Sequence, residues 1–113
     1  MLETSLEQIG NTAIINLDAR DLYDKALIAE ISESLSAQEV GYAVINLEQI
    51  SALSSAEWLE IMRLTDALKL IGIRSAICGV QPALAMTLVE LCEGLHISAY
   101  MDVDGALNAI NVD

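Results

Sequence analysis

The sequence predicts an α/β sandwich: a mostly parallel central sheet of about five strands, an antiparallel hairpin at one edge, and about four helices. Three observations predict it. Short runs rich in Val, Ile and Ala alternate with stretches whose apolar residues recur every three or four positions. A Gly-Asn pair near the start joins two strand-like runs at hairpin distance. The chain has 113 residues, 54% of them apolar, which suits one domain, 1–113, with a core of its own.

Each element has its own warrant. The run TSLEQIG reads as a short strand, and TAIINL, Thr12–Leu17, pairs with it across Gly10-Asn11. Asp18 and Asp21 supply helix-start chemistry. Leu27, Ile31 and Leu35 then repeat at i, i+4, i+8, predicting a helix from about Leu22 to Ala37 with Glu30 and Glu33 on its wet side. YAVINL, Tyr42–Leu47, is apolar almost throughout, as a strand buried on both faces should be. A second helix is predicted from Ser55 to Leu70, with Trp58, Ile61, Met62 and Leu68 on its apolar stripe and Gly72 as its stop. SAICGV is a fourth strand. Gln81-Pro82 opens a third helix carrying Leu84, Leu88 and Leu91, since proline suits a first turn. ISAYM is a short fifth strand, and Asp102 starts a final helix over DVDGALNAI. The order β-β-α-β-α-β-α-β-α implies a largely parallel sheet.

Composition excludes several function classes. The formal net charge is −12, from 17 acidic and 5 basic side chains. That disfavours nucleic acid, which is held through Lys and Arg contacts to phosphate, and anionic membrane surfaces. It suits a basic protein partner through electrostatic steering, and equally serves the solubility of an apolar chain. The longest uncharged stretch, Ser75–Val89, is shorter than the roughly 20 apolar residues of a spanning helix, and no signal peptide is visible. A soluble cytoplasmic protein is expected. Cys78 and Cys92 lack metal or redox spacing and read as small core residues. His96 stands alone, so no metal site and no cofactor are expected.

The stretch SALSSAEWLE, Ser51–Glu60, holds the most informative polar residues. With Ser54 as N-cap, Glu57 falls at N3, and S-x-x-E is the capping box. That accounts for Ser54 and leaves Ser55. As a nucleophile Ser55 has no G-x-S-x-G elbow around it and no nearby histidine, so no catalytic residue is assigned. As a plain surface residue it needs no explanation. As a phosphate acceptor it would sit at the amide-rich, positive end of a helix. Asn46, Ser54, Ser55 and Thr87 together would make a polar site at the strand ends without a base. Trp58 reads as core, or, were it exposed, as a partner anchor.

Two stretches resemble the STAS domain of bacterial anti-sigma-factor antagonists. AVINLEQISALSSAEW is similar to the family's strand, short loop and D-S helix start, with Asn46 in place of the strand's acid and Ser54-Ser55 in place of D-S. IGIRSAICGVQPALAMTLVELCEGL matches the family's later strand and helix through Gly72, Gly79, Pro82, Ala85, Thr87 and Leu88, and is most similar to the RsbS and RsbR type of stressosome scaffold. The resemblance implies a non-catalytic binding module whose acceptor serine, here Ser55, is phosphorylated by a partner serine/threonine kinase of the anti-sigma type. It implies a second acceptor at Thr87, which by itself reads as a helix residue bonding its own turn or facing solvent, a partner-binding surface at Ser54, Ser55, Glu57 and Trp58, and assembly with STAS paralogues as a homo- or hetero-oligomer. The departure is Ser54, which keeps the cap and loses a fixed charge beside the acceptor. It leaves open an adaptor or assembly subunit whose switch is not phosphorylated.

Overall fold

The computed structural model describes residues 5–82, 84 and 98–111. Five strands form one sheet in the order β1-β2-β3-β4-β5: β1 Ser5–Ile9, β2 Thr12–Asn16, β3 Tyr42–Asn46, β4 Arg74–Cys78 and β5 Ser98–Tyr100. Three α-helices lie among the described residues: α1 Leu27–Gln38, α2 Ser55–Leu70 and α3 Val103–Asn111. The sheet is mixed. β1 runs antiparallel to β2, while the other three pairings are parallel. The expectation of a mostly parallel sheet with about four helices is corrected accordingly. Of the expected third helix only Pro82 and Leu84 are described, both helical. Thr87, Cys92 and His96 lie outside the described residues.

The hairpin turns at Gly10, whose φ of +57 at the first central position is the conformation a two-residue turn reserves for glycine. The first helical region differs from expectation. Asp18 caps a 3-10 helix, Ala19–Tyr23, by accepting from the Arg20 N–H, and Asp21 reaches back to the Asp18 N–H at 2.8 Å. Asp24 then accepts from the Ala26 N–H at 2.9 Å, and α1 begins only at Leu27. Side chains of this type compete for local backbone groups, which splits one expected helix into two pieces.

Strand alternation sends alternate side chains to opposite faces. One face carries Ala13, Ile15, Ala43, Ile45 and Ile77 and packs against Leu27, Ile31 and Leu35 of α1 and Trp58, Ile61, Leu64 and Leu68 of α2. The other carries Ile14, Val44 and Cys78, which pack against Ala106 of α3 with Tyr100, Val103, Leu107 and Ile110 around them. The parallel register sets Asn16, Asn46 and Cys78 side by side at the carboxyl ends of β2, β3 and β4. β4 stops there because Gly79 turns at φ +72.

Candidate functional site

The chain leaves β3 through a loop pinned at both ends. Ile50 and Leu53 are buried, and the Ile50 N–H donates to the Leu47 carbonyl at 2.9 Å. Leu53 delivers the chain to Ser54, the N-cap of α2. The Glu57 N–H donates to Ser54 Oγ at 3.1 Å, and the Ser54 N–H donates to Glu57 Oε1 at 2.8 Å. The capping box read from the sequence is therefore present, and α2 spans the expected Ser55–Leu70. Leu53 at N′ and Trp58 at N4 belong to the same buried cluster, the positions of a hydrophobic staple.

Ser55 is the first residue of α2 and is exposed, and its hydroxyl has no hydrogen bond among the described residues. The first-turn amides of Ser55 and Ala56 have no acceptor within the helix. Trp58 is 4% exposed and takes the core position, so its ring is not offered to a partner. Ser54 and Ser55, both exposed, and the half-buried Glu57 thus form one helix start, with Trp58 as the buried peg beneath it.

A further member, Tyr23, is not signalled by any local sequence pattern. Its ring is exposed, and its hydroxyl donates to Glu57 Oε2 at 3.1 Å. This contact ties the 3-10 helix to α2 across 34 residues of chain, a separation that no local pattern encodes. The Ser54 backbone N–H, then the Ser54 hydroxyl, then the Tyr23 hydroxyl hold the Glu57 carboxyl below its ordinary range. The same bond, with the carboxylate's charge, raises the Tyr23 phenol.

Asn46 is 5% exposed and lies on the opposite face of the sheet from α2. Its Nδ2 donates to Asn16 Oδ1 at 2.9 Å, and its Oδ1 accepts from the Glu48 N–H at 3.2 Å. A carboxylate at this place could accept from Glu48 but could not donate to Asn16. Cys78 beside it is buried, and burial first, then the charges of Glu48 and Asp102, push its thiol up to about 11. It stays protonated at neutral pH and is a poor nucleophile. Asn46 lines a groove that does not include Ser54 or Ser55, so the structure does not bring these three into one polar site. Among the described residues no three of His, Cys, Asp and Glu converge as metal ligands would, and no helix is long and apolar enough to cross a membrane.

This mixed sheet, with α1 and α2 on one face and α3 on the other, is the fold of the STAS domain. A chain of the stressosome superposes with a TM-score of 0.75 at 16% identity, covering 96% of each chain. RsbS of Moorella thermoacetica superposes with a TM-score of 0.81 at 14% identity, covering 95% of this chain and 96% of that one. The phosphorylated form of the Bacillus cell fate determinant SpoIIAA gives 0.64 at 17% identity, covering 95% and 98%. In sequence, the chain is 27% identical over 74 residues to the RsbT co-antagonist protein RsbRD of Bacillus subtilis, a match over 66% of this chain and 26% of that protein. The chain thus spans about a quarter of this curated relative. No family model matches. The resemblance read from the residues, to anti-sigma-factor antagonists and stressosome STAS proteins, holds.

Proposed function

We propose that this protein is a regulatory STAS domain without catalytic activity, an anti-sigma-factor antagonist or stressosome-type scaffold of the cytoplasm, acting as one domain over residues 1–113. It binds a serine/threonine kinase partner and STAS paralogues, and phosphorylation of Ser55 switches the kinase interaction. The observation that carries this reading is Ser55 itself. It is an exposed hydroxyl at the first position of a capped helix, without a hydrogen-bond partner among the described residues. A phosphate there adds a charge of about −1.5 to −2 next to free amides, yet also next to Glu57, on a surface already rich in carboxylates. The added charge, with its desolvation cost, opposes docking of the partner at this surface. Thr87 is a second acceptor in this reading.

The test is incubation with ATP, Mg²⁺ and a serine/threonine kinase of the anti-sigma type, followed by intact mass and peptide mapping. One phosphate on Ser55, absent from Ser55→Ala, is the expected result, together with weaker kinase binding by Ser55→Asp than by Ser55→Ala. Equal binding of the two variants overturns the switch. A second reading is supported by Ser54, whose hydroxyl is engaged as the cap and places no charge beside Ser55. On that reading the protein is an adaptor or assembly subunit that is never modified. Tight kinase binding without phosphate transfer is its signature.

A further inference from the structure

The two faces of the sheet are covered unequally. A helix is about 10 Å across and strands lie about 4.8 Å apart, so one helix shields two or three strands of five. α3 packs mainly on β3, β4 and β5. Beside it, over β1 and β2, lies an open groove of about 550 Å³. Its apolar lining is Ile9, 52% exposed, with Val103 and Leu107 partly buried beside it and the buried Ile14 as its floor. Its rim carries Glu7, Glu48, Asp102 and Asp104, and among the described residues no Lys or Arg lines it. The ion pairs Arg20–Asp18 and Arg63–Glu60 lie elsewhere.

We infer that this groove is a docking site for a short segment of another protein that sets Lys or Arg beside an apolar side chain. Charge complementarity selects that occupant. The carboxylates on both sides of the strip match cations flanking an apolar residue, whereas a second copy of a chain with net charge −12 would bring like charges together. Asp102 already caps α3 by accepting from the Gly105 N–H at 2.8 Å, which leaves Glu7, Glu48 and Asp104 as the principal partners for the incoming cations. The surface is separate from the start of α2, so docking here does not depend on phosphorylation of Ser55.

The test is titration of the ¹⁵N-labelled full chain with a capped octapeptide alternating leucine with lysine and arginine. Controls are the same peptide with glutamate for every basic residue, and spermidine. Backbone shifts should concentrate at Glu7, Ile9, Ile14, Glu48 and Asp104, and the glutamate peptide should give none. The double variant Glu48→Gln, Asp104→Asn changes exposed side chains, so it keeps the fold. It should weaken binding roughly five- to tenfold, the scale of two surface ion pairs. Ile9→Ser should weaken it as well. Three results would each overturn the inference: no binding, shifts spread over all surface carboxylates with the double variant binding as wild type, or spermidine binding the groove as tightly as the peptide.

Discussion

The α1/α2 face and the α3 face of the sheet are built to different standards. The first buries aliphatics from α1, α2, the 3-10 helix, the helical Leu84, three strands and the loop around Leu47–Leu53 in one cluster. Among the described residues the second closes Ile14, Val44 and Cys78 under one nine-residue helix, through Ala106, and leaves a groove beside it. Both faces use the same strands. The difference lies in how many helices return across each, and it assigns stability to one face and open surface to the other.

The sharpest way to break this comparison is a matched pair of truncations. Leu64 is fully buried in the α1/α2 cluster, and Leu64→Ala should cost about 2–5 kcal/mol in urea unfolding. Leu107, only partly buried on α3, should cost about 1 kcal/mol when cut to Ala, since it loses a smaller buried area. Equal costs would mean that the α3 face carries as much stability as the other. The next effect falls at the seam of the α3 face. A Cβ on Gly79 would lie 2.5 Å from Asn46 Oδ1 and 3.0 Å from the Glu48 backbone N, at φ +72. Gly79→Ala should therefore cost about 2 kcal/mol or more and disturb the Asn16–Asn46 pair, measurable as altered side-chain amide resonances.

Smaller effects belong to the start of α2. Ser54→Ala should cost about 1 kcal/mol by removing the cap. The cap is also pH-dependent, and the sign follows from Glu57. Its carboxyl titrates lower in the folded protein than in the unfolded chain. Its contribution is therefore present above the unfolded carboxyl value, about 4.3, and is lost as pH falls through the folded one. The stability gap between wild type and Glu57→Ala should narrow in that acidic window. A gap that stays constant from pH 7 to pH 3 would remove the carboxylate from the account. The smallest change expected is a gain. Glu39 ends α1 in the left-handed region at φ +57, where a side chain is strained, so Glu39→Gly should stabilise by up to about 1 kcal/mol. Thermal unfolding of that variant reads it directly.

Much of this was legible in the chain. Ser54 and Glu57 at capping-box spacing placed the start of α2 to the residue, because a cap is a contact between neighbours three positions apart. The GN turn placed the hairpin for the same reason. The break between the 3-10 helix and α1 was missed because Leu27, Ile31 and Leu35 continue a helical period that Asp18, Asp21 and Asp24 interrupt only through their choice of backbone partner. Trp58 had two readings from sequence, core or anchor, and its contact with the Leu53 cluster decided for core.

The sequence alone determined the alternation of strand and helix, the cap at Ser54, the exposed position of Ser55 and the STAS resemblance, all of which rest on local spacing and motif. Only the tertiary structure decided that Tyr23 holds Glu57, that Asn46 pairs with Asn16 on the far face from Ser55, and that α3 lies mainly on β3, β4 and β5. Those contacts join residues about 30 or more apart or depend on where one helix lies across five strands, and no short-range pattern carries that information.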